Sequence, residues 1–293
     1  MSVINENLIR NESAAKKFLI GAGILRAVQP CTLCGSTRVV SVSRGRSRCS
    51  DCGFTWGLRR GSIIENTQIT YLQFIRIIRM FADDIPPDEA VAQLHMERAM
   101  VNRIYRRIRL AIIDGPAVPG PGLSIAGNIL QHPTASRLDP VVFGIRIHAE
   151  VIEIERYETP FPDIIIQMEI PWSIRSTVLF IDACEKQYHG LIAYYPDRCN
   201  QETVILTPKN RGTWPPLTVF WRFAQTLWSR HRYLERAQIP DFVQELAFRY
   251  NHRHRDMFYV IIEKISHYDY TDRQVAGERK DAVLSLATGA EES

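Results

Sequence analysis

Hydrophobic positions recur at helical spacing in three successive runs between residues 69 and 113. The first run, TYLQFIRIIRMFAD, places Leu72, Ile75 and Ile78 on one face. The second, IPPDEAVAQLH, opens with prolines followed by two carboxylates, which suits the first turn of a helix. The third, RAMVNRIYRRIRLAII, has one apolar face and is otherwise basic. This order predicts a DNA-reading helix-turn-helix module over residues 66–115, and a helical bundle with a charged outer face is the alternative.

Beyond a stretch rich in Pro and Gly, which predicts a linker over residues 116–122, the pattern becomes strand-like. Four segments are rich in β-branched residues and bounded by turn residues: LSIAGNILQ, DPVVFGIRIHAEVIEIERYE, STVLFIDA and ETVILT. Helical patterns are found at about 186–195, 215–236, 240–252 and 256–266. These elements predict an α/β fold with a mixed sheet over residues 123–275. A helical lead is predicted over residues 1–24 and a flexible tail over 276–293.

The composition, 45% hydrophobic and 23% charged over 293 residues, is that of an ordinary globular protein. No apolar stretch approaches the roughly 18 residues that span a bilayer, and the N-terminus lacks the layout of a secretory signal. An intracellular protein with no membrane partner is therefore expected. The net charge of +4 is uneven, because residues 1–115 carry 17 Lys and Arg against 10 Asp and Glu, whereas residues 116–293 carry 19 against 22. The basic excess is mostly arginine, which suits contact with phosphate.

Four of the six cysteines form two C-x-x-C pairs, CTLC at 31–34 and CSDC at 49–52. Two such turns can close a tetrahedron of thiolates around one zinc ion, and Gly35 and Gly53 let the backbone turn beside it. Two disulfides are the alternative. Because four ligands leave no open position, the spacing predicts a structural zinc ion in a zinc ribbon over residues 25–65. The predicted ligands are Cys31, Cys34, Cys49 and Cys52.

Arginines predicted to contact DNA occur in both basic elements. The chain from 35 to 62 reads as short strands rich in arginine, so the ribbon is predicted to have one basic face. The basic side of the third helical run supplies the other contacts. A merely solvated surface is the alternative for each of them. The predicted contacts are Arg38, Arg44, Arg46, Arg48, Arg59, Arg60, Arg98, Asn102, Arg103, Arg106 and Arg107.

A four-cysteine ribbon, a helix-turn-helix and an α/β domain that ends in ELAFRYNHR closely resemble the Merlin superfamily of DDE transposases and their bacterial insertion-sequence relatives. The resemblance covers residues 25 to 270 and rests on GFTWGLRRGS, PVVFGI, LFIDACEKQYHGL, FW at 220–221 and ELAFRYNHR. It implies that the α/β domain is RNase H-like and derived from a transposase.

The resemblance also implies that FRYNHRHR is a helix end on the nucleic-acid side of this domain. Its arginines, Arg249, Arg253 and Arg255, are then expected to contact phosphate. A metal site at His252 and His254 is the alternative, but residues at i and i+2 do not share a helix face.

Catalysis in the family needs three carboxylates that hold two divalent ions for phosphoryl transfer. By resemblance, the first Asp position falls on His132, the second Asp is retained as Asp182, and the Glu position falls on Thr218. Mg²⁺ prefers anionic oxygen ligands, so a His and a Thr in these places disfavour a two-magnesium site. The degenerate positions therefore predict no catalytic residues and no magnesium cofactor.

The expected function is that of a domesticated, catalytically inactive transposase that binds double-stranded DNA as an architectural or recruitment factor. By resemblance it is expected to form homo-oligomers and to bind other chromatin proteins. Its expected location is the nucleus or, in a bacterium, the nucleoid. Two alternatives stay open. One is an active DDE-type transposase or nuclease with a divergent metal site, and the other is a protein-interaction scaffold that no longer binds DNA.

Overall fold

The computed structural model describes residues 9–27, 29–114, 141–156, 176–182, 188–195, 200–206, 215–231, 238–268 and 270. Seven α-helices and eight strands lie in this part of the chain. The helices are α1 (Glu12–Gly21), α2 (Tyr71–Ala82), α3 (Pro87–Leu94), α4 (Arg98–Asp114), α5 (Pro215–Arg230), α6 (Ile239–Asn251) and α7 (Met257–His267). The strands are β1 (Val39–Val42), β2 (Arg46–Cys49), β3 (Thr55–Gly57), β4 (Val141–His148), β5 (Val151–Arg156), β6 (Ser176–Asp182), β7 (Gly190–Tyr194) and β8 (Asn200–Leu206). None of the described helices is long and apolar enough to cross a membrane.

The chain divides into two compact units. Unit 1 comprises Met1–Ala82, Pro87–Ile108 and Ile261–Ser293, and unit 2 comprises Asp83–Pro86 and Arg109–Val260. The division falls inside α4 and inside α7, so it differs from the predicted domain boundaries. A helix is one element along the chain, but its successive turns can pack into different cores. The predicted linker and tail and the LSIAGNILQ segment lie outside the described residues.

All three helices predicted between residues 69 and 113 are present, and unit 1 contains α2, α3 and the part of α4 up to Ile108. The Glu12 carboxylate accepts hydrogen bonds from the N–H groups of Tyr71 and Leu72, at 2.6 and 2.9 Å, and so caps the start of α2. Phe81 of α2 packs edge-on against Tyr105 of α4, with ring centroids 5.1 Å apart. The helical prediction is confirmed here, whereas DNA reading by this module stays a prediction.

The ribbon part of unit 1 is a three-stranded antiparallel sheet in the order β1-β2-β3. β2 is its central strand, with Arg48 opposite Val40 on one side and Thr55 on the other. Side chains on directly paired residues point to the same face of a sheet. Arg48 therefore shares a face with Val40, which is 48% exposed.

Unit 2 is built on a five-stranded sheet in the order β5-β4-β7-β6-β8. Neighbouring strands are antiparallel except β6 and β8, which are parallel, so the predicted mixed sheet is confirmed. One face of the sheet packs against α5 and α6 in a large apolar core. Fully buried aromatic residues of this core include Phe143, Phe180, Phe220, Trp221 and Phe242. The RNase H-like assignment stays a prediction.

One predicted element is wrong: residues 188–195, the described part of the helix predicted at about 186–195, do not form a helix. Gly190–Tyr194 is a strand, β7, and all five of its residues are buried. It pairs with β4 on one side and with β6 on the other. A strand covered on both faces reads as a continuous apolar run, which lacks the alternation that distinguishes a strand from a buried helix.

Candidate metal centre and nucleic-acid interface

The two C-x-x-C pairs form two turns with the same backbone hydrogen bonds. In each turn the glycine N–H donates to the carbonyl of the first cysteine, at 2.8 Å for Gly35 and 3.1 Å for Gly53. The N–H of the first cysteine donates to the carbonyl five residues later, at 2.8 Å for Cys31 and 2.9 Å for Cys49. Both glycines have positive φ, 74° and 72°, which residues with a Cβ rarely adopt. The glycines thus turn the backbone after each pair, as predicted.

The sulfur atoms of Cys31, Cys34, Cys49 and Cys52, the four-cysteine group, lie within 4.8 Å of one another. The distance from Cys31 Sγ to Cys52 Sγ is 3.6 Å, and that from Cys34 Sγ to Cys49 Sγ is also 3.6 Å. A disulfide needs about 2 Å, whereas four Zn–S bonds of about 2.3 Å in a tetrahedron separate the sulfurs by about 3.8 Å. The cysteines are free thiols, and their spacing fits a tetrahedral ion such as zinc.

The four thiols lie close enough to change one another's pKa through hydrogen bonds. Backbone N–H groups, with that of Cys52 first and that of Asp51 next, lower the pKa of Cys49 to about 6. At Cys34 the Ser36 N–H acts to lower the pKa, but hydrogen bonds with the neighbouring thiols, Cys52 foremost, raise it to about 12. Adjacent thiolates repel one another, so the set ionises together only beside a cation. A bound divalent ion supplies that charge, and cysteine binds zinc as the thiolate.

The apolar core of the ribbon is very small. It consists of the buried Cys31, Cys49 and Trp56, with Val39 and Phe54 packed against them. Phe54 and Trp56 stack with ring centroids 5.8 Å apart. Two of the three buried residues are themselves members of the four-cysteine group. A fold with so little buried apolar surface needs a metal or another cross-link to be stable.

The outer face of β2 carries two exposed arginines. Arg46 and Arg48 are exposed, whereas Ser47 is half-buried and Cys49 is buried, as the alternation of a strand requires. Within the described residues neither guanidinium has a hydrogen bond or an ion pair. The ribbon therefore has the exposed basic strand that the sequence predicted.

The outer face of α4 carries a second exposed pair, Arg103 and Arg106. They are three residues apart and so lie side by side on the helix. No partner for either side chain is found in the part of the chain that the structure describes. Asn102, beside them, is half-buried, and the opposite face of α4 is fully buried at Val101 and Ile104.

Two further predicted contacts are exposed but already paired with carboxylates. Arg38 forms an ion pair with Asp51, and Arg98 Nη2 lies 2.7 Å from Asp88 Oδ1. Exposed ion pairs contribute little to stability, so phosphate can replace the carboxylate at little cost. The side chain of Arg44 lies outside the described residues.

Three other predicted contacts form hydrogen bonds within unit 1, although the side chain of Arg60 is 43% exposed. Arg59 Nη1 donates to the Thr67 carbonyl at 2.8 Å, and Arg60 Nη1 donates to Glu65 Oε1 at 2.8 Å. Arg107 Nη1 donates to backbone carbonyls at 2.7 and 2.9 Å. Their guanidinium groups hold unit 1 together, which the sequence pattern did not predict.

The predicted phosphate contact at Arg249 is wrong, because this residue is buried. Its Nε donates to Glu245 Oε1 at 2.6 Å, and Arg109 Nε donates to the other oxygen, Oε2, at 2.6 Å. Glu245 is completely buried. Burial acts to raise the pKa of Glu245, but the charges of Arg109 and Arg249 prevail and lower it to about 2. The carboxylate is therefore ionised and shared by two guanidinium groups.

A second carboxylate extends this cluster. Asp84 Oδ1 lies 2.7 Å from His231 Nε2 and 4.0 Å from Arg249 Nε. We name Asp84, Arg109, His231, Glu245 and Arg249 the buried ion network. Sequence reasoning missed it, because its members come from four separate segments with no shared spacing.

The end of FRYNHRHR is as predicted in one respect: α6 ends at Asn251. The Asn251 side chain accepts from the Ile152 N–H at 2.8 Å and donates to the Ile152 carbonyl at 2.7 Å, so it covers part of edge strand β5. Arg253 lies over the Tyr250 ring, 4.1 Å from its centroid, and donates to the Tyr250 carbonyl. Among the described residues, His252 and His254 belong to no group that could hold a metal.

Asp182, the one retained carboxylate of the degenerate positions, is the last residue of β6 and is buried. Its Oδ1 accepts a hydrogen bond from the indole Nε1 of Trp221 at 2.5 Å. Gly190 lies opposite on β7, and a Cβ there would come within 2.9 Å of the same indole. Thr218 lies one turn before Trp221 on α5, while His132 lies outside the described residues. Asp182 is thus packed against an aromatic core.

Comparison with known proteins adds no relative: no family model matches the chain, and no curated protein or solved structure gives a significant match.

Proposed function

We propose that this protein binds duplex DNA and is stabilised by zinc. We further propose that it derives from a DDE transposase and has lost the catalytic activity of that enzyme. The observation that carries the proposal is the pair of exposed arginine patches in unit 1. Arg46 and Arg48 on β2, and Arg103 and Arg106 on α4, are exposed and have no partner among the described residues. Unit 1 also contains the four-cysteine group.

Arginine without an intramolecular partner suits a polyanion. The guanidinium group is always charged, and its planar donors match two phosphate oxygens, or O6 and N7 of a guanine in the major groove. A helix is narrow enough to enter the major groove, so α4 is the element proposed to read base edges. Strand β2 supplies the second set of phosphate contacts, together with Arg38 and Arg98, whose carboxylate partners are exposed.

The environment of Asp182 supports the inactive form of this proposal over an active nuclease. A metal-binding carboxylate must present its oxygens to a cation, and two-metal catalysis needs several such anions around one cavity. Here one oxygen of Asp182 is bound by an indole N–H, and the residue is only 8% exposed. Thr218 contributes a neutral hydroxyl. These observations support a protein that binds DNA without cleaving it over an active nuclease.

Binding without cleavage suits an architectural or recruitment role on the genome. Such a protein would act in the nucleus or nucleoid, with other chromatin proteins and further copies of itself as partners. The expectation of self-association rests on the resemblance to transposases, which act as multimers.

The test measures binding of the full-length protein to a fluorescent duplex of about 30 bp, three helical turns. We expect binding to weaken by more than about tenfold between 50 and 200 mM salt, because bound counterions are released from phosphate. Arg103→Gln with Arg106→Gln is expected to weaken it a further tenfold or more and to reduce the salt slope by about 2. Arg222→Gln, an exposed arginine of α5, is the matched control and is expected to bind like wild type. Equal binding by the double variant and wild type would contradict the proposal.

A further inference from the structure

Residues 59–67, which we name the junction segment, connect the ribbon to α2. The ribbon's last strand ends at Gly57, and α2 begins at Tyr71. Connections of this length usually lie on the surface with their backbone in water. Here most of the segment is buried. Its buried residues are Ser62, Ile63, Ile64, Glu65 and Thr67.

Arg60 connects the junction segment to the ribbon, and Glu65 of the same segment holds the Arg60 side chain in place. Its carboxylate accepts Arg60 Nη1 at 2.8 Å and the Gly61 N–H at 2.7 Å. The guanidinium of Arg60 also lies over the ring of Phe54, 5.8 Å from its centroid. Phe54 stacks on Trp56 in the ribbon core. A continuous set of contacts therefore runs from the ribbon core to Glu65.

Arg107 and Arg59 tie the same segment to the helices. Arg107 of α4 donates from one nitrogen, Nη1, to the carbonyls of Ile63 and Glu65, at 2.7 and 2.9 Å. Arg59 donates to the Thr67 carbonyl and lies over the ring of Tyr71 on α2, 4.8 Å from its centroid. Charged donors on backbone carbonyls are among the stronger hydrogen bonds in proteins.

We infer that the junction segment locks the ribbon onto α4 as one rigid body, so that the β2 and α4 arginine patches engage a single duplex at a fixed spacing. This inference rests on the proposed function. Two patches joined by a flexible linker tolerate changes in the distance between their targets, whereas two patches on a rigid frame do not. Arg60, Glu65 and Arg107 are then positioning residues, although Arg60 and Arg107 were predicted from sequence to contact DNA.

The first test uses the spacing of the DNA site. A duplex selected by the full-length protein from a random library is footprinted with hydroxyl radicals. Arg46→Gln with Arg48→Gln should lose one protected patch, and Arg103→Gln with Arg106→Gln the other. Inserting 5 bp between the patches rotates one against the other by about half a helical turn. Wild-type affinity is expected to fall at least about tenfold, to the level of a single-patch variant.

The second test loosens the frame without touching either patch. Arg107→Met keeps the aliphatic volume but removes both hydrogen bonds to the junction segment, and Arg60→Met removes the link to Glu65. The Arg60→Met, Arg107→Met protein is expected to bind the original duplex more weakly, yet to lose less than about threefold on insertion of 5 bp. Zinc content and helical circular dichroism show whether the variant is folded, and each single variant is the fallback if the double variant is not.

The third test needs no DNA. Amide ¹⁵N relaxation of the full-length protein is expected to give one rotational correlation time for the ribbon and for α2–α4 in wild type, and two different times in the double variant. Faster tumbling of the wild-type ribbon would overturn the inference while leaving DNA binding intact. Equal wild-type affinity for the original and the inserted duplex would overturn it too. Failure to bind any duplex would instead overturn the proposed function, so the two failures are distinguishable.

Discussion

The four-cysteine group and the surroundings of Asp182 both suggested metal chemistry in the sequence, but they differ in how many potential ligands converge and in how large a core surrounds them. In the ribbon, four sulfur atoms converge within 4.8 Å, and the apolar core around them has three buried residues. At the end of β6, the Asp182 carboxylate accepts a hydrogen bond from an indole beside a core of more than twenty buried residues. Among the described residues, Asp182 belongs to no group of side chains that could hold a metal, whereas the four cysteines form one.

The difference shows how ligand geometry depends on chain distance. Each C-x-x-C pair sets its own shape through local hydrogen bonds and one glycine, so only one long-range pairing is needed to bring the two pairs together. A three-carboxylate site draws on separate strands and a helix, so it depends on several residues at once. If two of those carboxylates are replaced, as the resemblance implies for His132 and Thr218, the third lacks the anionic partners of a two-metal site. We therefore propose that Asp182 acts in packing, as its hydrogen bond with Trp221 suggests.

The largest expected effect comes from removing one ribbon ligand. Cys49→Ser should lower the zinc content from about one ion per chain to near zero, because the ion loses a thiolate and the ribbon has little else to hold it. The region from 31 to 57 should then become sensitive to protease. Metal analysis and limited proteolysis measure both effects, with Ser50→Ala as the adjacent control. A Cys49→Ser protein that keeps its zinc and its resistance would show that the four-cysteine group is not a metal site.

In unit 2, a large loss of stability is expected from a change in the buried ion network. Glu245→Ala leaves Arg109 and Arg249 buried beside each other without their shared carboxylate, and we expect a loss of about 3–5 kcal/mol in the free energy of unfolding. Urea denaturation measures it. Glu153→Ala, which removes a half-buried carboxylate 4.0 Å from His148, should cost less than about 1 kcal/mol. Equal losses for the two variants would mean that the network does not stabilise unit 2.

The lowered pKa of Glu245 also predicts that the protein loses stability as the pH falls. The pKa of Glu245 is about 2 in the folded protein, below its usual value near 4.3 in an unfolded chain. A lowered folded-state pKa contributes stability that is complete above the unfolded pKa and is lost as the pH falls toward the folded one. Wild type should therefore lose on the order of 3 kcal/mol between about pH 5 and pH 2 through this group. Glu245→Gln should lack that part of the pH dependence, and identical acid slopes would contradict the assignment.

A smaller effect is expected at Asp182. Asp182→Ala leaves the Trp221 N–H buried without its acceptor and should cost about 1–3 kcal/mol. Asp182→Asn retains an oxygen that can accept from the indole, so its cost should be clearly smaller. Thermal denaturation compares them. If both variants were as stable as wild type, the carboxylate would not be a packing residue, and a ligand-binding role would regain support.

The elements that could be predicted from the sequence are those determined by local patterns. Helices α2 to α7 follow from apolar periodicity, and the glycine turns follow from the cysteine spacing. Strand β7 was predicted as a helix, because GLIAY has no alternation when both of its faces are buried. The sequence also does not predict the roles of Arg59, Arg60, Arg107 and Arg249. An arginine that faces solvent and one that faces a buried carbonyl look the same in a sequence, and only the long-range packing distinguishes them.

We propose that unit 1 binds DNA and that the Asp182 region performs no chemistry on it. One measurement tests both halves: incubate the full-length protein with a duplex that it has selected, add Mg²⁺ or Mn²⁺, and resolve the products on native and denaturing gels. We expect a shifted band on the native gel and intact strands on the denaturing gel, for wild type and Asp182→Asn alike. Metal-dependent nicking by wild type that disappears in Asp182→Asn would contradict this proposal and show that the protein is an active nuclease.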